Sequence, residues 1–151
     1  MKPKSTPDPA SLRERALAYL ARREHSRFEL TRKLEAAGFA VEEIAPVLDA
    51  FEARDWLSDR RFAESWIADH SARTGSVKLA YDLRRRGVHE TIIENVLREP
   101  RHSELERAQE VLRRKFAAAP INAKEKNRQM RFLQGRGFAS IIVHRLLTHT
   151  D

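Results

Sequence analysis

The sequence predicts an all-α protein made of three tandem three-helix repeats of about 50 residues, which we expect to form an elongated, curved helical solenoid. Three observations favour this fold. The chain has 20 alanines and 15 leucines among 151 residues but only 7 valines and 5 glycines, a composition typical of helices rather than sheets. Apolar residues recur with one long period, and signals that start and stop helices recur with them.

The repeat is clearest around three glycines, Gly38, Gly87 and Gly137, which are 49 and 50 residues apart. Apolar residues stand at matching distances from each glycine. They are Leu17, Leu34 and Leu48 in the first repeat, Trp66, Leu83 and Leu97 in the second, and Phe116, Leu133 and Leu147 in the third. Three short helices bury little apolar surface alone, so we expect the repeats to stack and to leave a long surface exposed.

The repeat divides the chain into a flexible N-terminal tail and three units. The predicted bounds are 1–8 for the tail and 9–55, 56–100 and 101–151 for the units. In the first unit, Ser26 starts the middle helix in a capping box with the glutamate three residues later. The apolar stripe of this helix is Phe28, Leu30 and Leu34, and Gly38 ends it as a C-cap.

The remaining helix starts are predicted from similar signals. Asp59 and Ser76 are the expected N-caps in the second unit, and Ser103 and Asn122 those in the third. Pro46 falls in the third helix of the first unit, and we expect it either in the first turn or at a kink, because a proline further inside removes a backbone hydrogen bond. The three repeat glycines are expected to be helix caps, not parts of a phosphate-binding loop.

The sequence lacks the patterns that catalysis and metal binding need. It has no cysteine, which excludes disulfides, cysteine-ligated zinc and thiol nucleophiles. No two of the six histidines are four residues apart, and no GxxxxGK[ST] motif occurs. We therefore expect no enzyme activity, no metal and no cofactor. Because the apolar runs are short and the N-terminus has no signal-peptide pattern, we expect a cytoplasmic protein without membrane contact.

Aromatic residues fall at core positions of the repeat, so we expect them to pack in the core and not to stack on nucleic-acid bases. The six residues in question are Trp56, Phe62, Trp66, Phe116, Phe132 and Phe138.

Charge is distributed unevenly along the chain. The net charge of +7 divides into 10 basic minus 9 acidic residues over 1–54, 8 minus 8 over 55–100, and 11 minus 5 over 101–151. Almost all of it therefore belongs to the third unit, where a phosphate backbone or an acidic protein surface would be attracted. For each group of basic residues, the alternative explanation is a solvated helix face that binds no ligand. The candidate binding residues are Arg22, Arg23, Arg32, Lys33, Arg84, Arg85, Arg86, Lys124, Lys126, Arg128, Arg131 and Arg136.

Three long strings of the sequence resemble the RecX family, bacterial regulators of the RecA recombinase. They are SRFELTRKLEAAGF at 26–39, WLSDRRFAESW at 56–66 and KNRQMRFLQGRGF at 126–138. Two positions depart from the family pattern: Ser58 stands where an acidic residue is usual, and Gly135 where a basic one is usual. The resemblance covers almost the whole chain and implies tandem three-helix repeats, in agreement with the period.

The resemblance also implies a function. RecX-like proteins bind the RecA filament on DNA and hinder its extension, strand exchange and ATP hydrolysis, which modulates recombination and DNA repair. The expected partners are therefore the RecA filament and, weakly and without sequence specificity, DNA, and we expect the protein to be a monomer. Two other classes of function stay open from the residues alone: a helical DNA-binding protein that acts without RecA, and a structural adaptor that binds neither.

Overall fold

The computed structural model describes residues 9–98 and 103–148, so the expected tail over 1–8 lies outside the described residues. Over those ranges the chain forms nine α-helices and no strand, which confirms the all-α prediction. The helices are α1 Pro9–Arg22, α2 Arg27–Ala36, α3 Val41–Ala53, α4 Asp59–His70, α5 Ser76–Arg85, α6 Glu90–Arg98, α7 Glu104–Lys115, α8 Ala123–Gly135 and α9 Ser140–Thr148.

Each consecutive trio of helices packs around its own apolar core, so the chain consists of three three-helix units. The first unit is α1 to α3, the second α4 to α6 and the third α7 to α9. Among the described residues, nine buried apolar residues form the first core, seven the second and only five the third. Those of the third core are Ala108, Leu133, Phe138, Val143 and Leu147. The third unit therefore has the smallest core of its own.

The predicted caps around the repeat glycines are confirmed. Gly38, Gly87 and Gly137 have φ angles of 102°, 79° and 85°, the left-handed conformation that ends a helix without a Cβ clash. Ser26 and its partner glutamate form both hydrogen bonds of a capping box. Ser103 is likewise an N-cap, its side chain accepting from a backbone N–H of the first turn, and so is Asn122.

Two predicted N-caps, Asp59 and Ser76, are each wrong by one residue. The N-caps of α4 and α5 are Ser58 and Gly75, so Asp59 and Ser76 are instead the first residues of these helices. Their side chains bond to a neighbouring unit, a partner that local sequence does not reveal. Pro46 is the sixth residue of α3, in its second turn and not in its first.

The first and second units meet where α2 begins. The Ser26 hydroxyl donates to the carbonyl oxygen of Arg86 at 2.7 Å, and the backbone N–H of Arg27 donates to Oδ1 of Asp59 at 2.8 Å. An ion pair between Arg61 and Glu24, with Nε and Oε1 2.8 Å apart, joins the same two units. The free N–H groups of the α2 N-terminus are thus satisfied partly from the second unit.

The second and third units meet in an equivalent way where α5 begins. The N–H of Gly75 donates to the carbonyl oxygen of Arg136 at 2.9 Å. Glu104 accepts from the Ser76 N–H and hydroxyl at 3.1 and 2.8 Å, and from the N–H of Ala139 at 3.0 Å. In both joints, an acidic residue at the start of the next unit binds the first N–H of a middle helix. The joint is therefore part of the repeat.

The core prediction for the aromatic residues holds for only some of them. Phe62 and Phe138 are buried, but Trp56 is 40% exposed. Phe28, which was predicted in the apolar stripe of α2, is 44% exposed. Phe28 lies against the Gly87 turn at the first joint instead of in the core of its own unit. Trp66, Phe116 and Phe132 are half-buried, and the last two rings contact edge to face.

Candidate interaction surface of the third unit

The candidate cations of the first unit are largely engaged within the protein. Arg23 forms an ion pair with Glu29, its Nη2 3.2 Å from Oε2. Arg32 lies over the ring of Phe28, 5.5 Å from the ring centre. Only Arg22, at the exposed end of α1, has neither an ion pair nor a ring contact among the described residues. Of the four candidate cations of this unit, only Arg23 is therefore neutralised by a carboxylate in the described part of the chain.

Lys33 is held by a buried histidine. Its Nζ donates to Nε2 of His25 at 2.8 Å, while Nδ1 of His25 donates to the carbonyl oxygen of Arg23 at 3.0 Å. Burial lowers the pKa of His25 below its ordinary value, and the nearby charges of Arg23 and Lys33 act in the same direction, against the carbonyl hydrogen bond. The imidazole is neutral in this arrangement, because a protonated ring would place two cations side by side.

Acidification should destabilise the protein through His25. The unfolded chain takes up this proton near pH 6.5, whereas the folded protein takes it up only at lower pH, so the free energy of unfolding falls as the pH drops below about 6.5. The slope should be at most about 1.4 kcal/mol per pH unit. Urea unfolding between pH 7.5 and 5.0 measures the slope. His25→Gln should remove it, and the control His144→Gln, at an exposed position, should retain it. Equal slopes in both variants would contradict the assignment.

The three candidate cations of the second unit also have contacts within the protein. Arg84 forms an ion pair with Glu90, its Nε 2.7 Å from Oε2, and hydrogen bonding to this guanidinium lowers the pKa of Glu90. Arg85 lies over the Tyr81 ring. Arg86 lies 3.7 Å from the ring centre of Trp66, and its carbonyl belongs to the first joint. Arg86 is therefore a structural residue more than a free contact.

Helix α8 carries four cations, and none of them has a carboxylate partner among the described residues. At about 100° per residue, Lys124, Arg128 and Arg131 lie within about 60° of one another, on the side opposite the buried Leu133. Lys126 is about 160° away from Lys124 on the same helical wheel and is half-buried. The structure therefore brings together three of the predicted cations of this unit, here named the α8 basic face.

Two aromatic rings lie beside this face. The guanidinium of Arg128 is 5.7 Å from the centre of the Phe116 ring, and that of Arg136 is 5.4 Å from the Phe132 ring. Lys115 also lies over Phe132, at 5.9 Å, and was not among the predicted residues. Lys115 lies in the last turn of α7, where the helix dipole favours a cation, so its charge alone does not indicate a binding role.

The described part of the chain shows no cluster of metal-ligating side chains. Within that part, no helix combines the length and the apolar character needed to cross a membrane. The surface that stands out is the α8 basic face, and its chemistry suits a ligand with repeated negative charge.

Comparisons with known proteins agree with this architecture. Models of RecX proteins match three stretches: the first three-helix domain at 13–50, the second at 58–97 and the third at 102–147. A regulatory protein RecX from Ralstonia nicotianae is 38% identical over 95% of this chain and 90% of its own length. Another from Leptothrix cholodnii is 42% identical over 93% of this chain and 90% of its own.

A solved structure shows the same fold. The crystal structure of RecX from Lactobacillus salivarius superposes with a TM-score of 0.82 at 18% identity, covering 95% of this chain and 96% of that one. Together, the sequence matches, the three helical units and the joints between them show that this chain belongs to the RecX family of regulatory proteins.

Proposed function

We propose that this protein binds the RecA filament on DNA and inhibits its extension, strand exchange and ATP hydrolysis, thereby modulating recombination and DNA repair. It acts by binding and not by catalysis, as a monomer in the cytoplasm. The observation that carries the proposal is the α8 basic face, an exposed set of cations without carboxylate partners in a member of a regulatory family.

The arrangement of charge supports a division of work among the units. In the first two units, carboxylates pair with Arg23 and Arg84, and the net charges are only +1 over 1–54 and zero over 55–100, so their attraction for an anionic ligand is weak. The third unit, with 11 basic and 5 acidic residues over 101–151, keeps its charge. Weak contacts from the units over 9–55 and 56–100 would then increase the overall binding affinity through avidity.

The test is the DNA-dependent ATPase of RecA at a salt concentration where the protein no longer binds bare DNA. Salt weakens phosphate contacts steeply, so the two activities can be separated. We expect the ATPase to fall as protein is added under these conditions. Inhibition that disappears together with binding to bare DNA would favour a DNA-binding protein that acts without RecA. No inhibition and no DNA binding at any salt concentration would favour a structural adaptor.

A further inference from the structure

A cleft of about 450 Å³ lies in the third unit, beside the core of that unit. It is bounded by α7, by the loop over 116–122 and by the end of α9, and most of its lining is apolar. Leu112, Phe116, Pro120 and Leu146 are typical of this lining, which contains no acidic residue. Its size is within the range of ligand-binding pockets, about 300–1,000 Å³.

The cleft follows from the length of one loop. Four residues, 23–26, connect the first two helices of the first unit, and five, 71–75, those of the second. The corresponding loop of the third unit has seven residues, 116–122, and its three alanines are small and exposed. They leave space beside α7 and α9, in the unit that also has the smallest core.

A buried polar side chain faces this space. Gln129 is only 3% exposed and lines the cleft. Its Nε2 donates to the carbonyl oxygen of Ala118 at 3.3 Å, while its Oε1 has no hydrogen-bond partner among the described residues. Because Oε1 has less than 1 Å² of accessible surface, it is a buried acceptor beside the cleft and not an open binding position.

Positive charge lies on the rim. Arg113 and Arg145 both line the cleft, and Arg113 forms a long ion pair with Glu110, 3.5 Å between Nη1 and Oε2. Arg145 is exposed and has no ion pair among the residues described. A ligand that reaches Arg145 would therefore be favoured if it carried a carboxylate.

We propose that this cleft binds an extended peptide segment of a partner protein, with apolar side chains flanked by acidic residues. The apolar side chains occupy the cleft, and a carboxylate pairs with Arg145. Nucleic acid fits the cleft less well, because the lining offers apolar surface instead of a row of cations. The inference goes beyond the proposed function, since it requires neither RecA nor DNA.

The probe is a fluorescently labelled six-residue peptide with a central leucine and phenylalanine flanked on each side by two acidic residues. Fluorescence anisotropy measures its binding to the full chain. Ala119→Trp should fill the cleft from an exposed loop, and its matched control is Ala72→Trp in the corresponding loop of the second unit. Arg145→Glu should remove the carboxylate contact, and Arg98→Glu makes the same charge change on α6.

We expect Ala119→Trp and Arg145→Glu each to weaken peptide binding at least tenfold, with both controls within twofold of the wild type. Circular dichroism verifies that each variant is folded, and two cleft variants in different elements keep the test valid if one misfolds. Absence of binding at 1 mM peptide would overturn the proposal. So would equal binding of a peptide with two central serines, or equal effects of the cleft and control variants. A single-stranded oligonucleotide serves as a competitor of the peptide; if it displaces the peptide from the wild type and does not displace it from Arg145→Glu, the cleft is assigned to nucleic acid instead.

Discussion

Charge reversal on the α8 basic face should raise the protein concentration needed for half-maximal inhibition of RecA by about 100-fold. The variant is Lys124→Glu, Arg128→Glu and Arg131→Glu, which changes the charge of residues 101–151 from +6 to zero. If each exposed contact with a phosphate is worth about 1 kcal/mol, three lost contacts correspond to about two factors of ten. Lys126 is left unchanged because it lies on the other side of the helix.

The matched control reverses three exposed cations of the other units, Arg22, Arg32 and Arg85, with the same change of six charges. The measurement is the single-strand-dependent ATPase of RecA at two salt concentrations, with folding verified by circular dichroism. Binding of the α8 variant should also depend less on salt, by about 2–3 units in the slope of log K against log salt. If the folded α8 variant inhibits as well as the wild type, the α8 basic face is only a solvated surface.

Replacing Gly137 with valine should cost about 3–5 kcal/mol of the free energy of unfolding, because two unfavourable effects coincide there. The φ of Gly137 is +85°, which a β-branched residue adopts only with strain. An added Cβ would also lie 2.2 Å from the Cβ of Lys78 and 2.8 Å from its backbone nitrogen. Urea unfolding followed by circular dichroism gives the free energy.

Two other glycines separate these effects. At Gly75, an added Cβ would lie 2.3 Å from the Cα of Phe138 although φ is an ordinary −79°, so Gly75→Ala tests the close approach of the third unit alone. Gly135 has nothing within 4 Å of an added Cβ and is helical, so Gly135→Ala should stabilise the protein by about 0.5–1 kcal/mol. An unchanged unfolding midpoint for Gly137→Val would refute the joint as described.

Local signals in the sequence predicted the units well because they act within a few residues. The glycine that ends each middle helix and the caps Ser26, Ser103 and Asn122 work through neighbours in the chain. Asp59 and Ser76 were placed wrongly because their side chains bind backbone or side-chain groups of another unit, 32 and 28 residues away. Sequence spacing alone cannot show that a carboxylate or hydroxyl is taken by a distant partner.

The candidate site was predicted less completely for the same reason. Net charge by region predicted a binding surface in the third unit, but it could not show that Glu90 engages Arg84 or that Trp66 stacks on Arg86. Lys33 looked like a free cation and is bonded to His25, eight residues earlier. Whether a lysine or arginine is available to a ligand depends on such pairings, and counting charges gives no information about them.

The joint at the start of α5 has a consequence for how the protein is made. A ribosome releases the chain from its N-terminus, and α2 can form early because Ser26 supplies its cap locally. The N-cap of α5 is Gly75, which has no side chain to cap the helix, and the N–H groups of Gly75 and Ser76 are bonded to Arg136 and Glu104. The second unit therefore completes its middle helix only after most of the third unit has emerged. Docking of the third unit, which is synthesised last, completes the folding of the second.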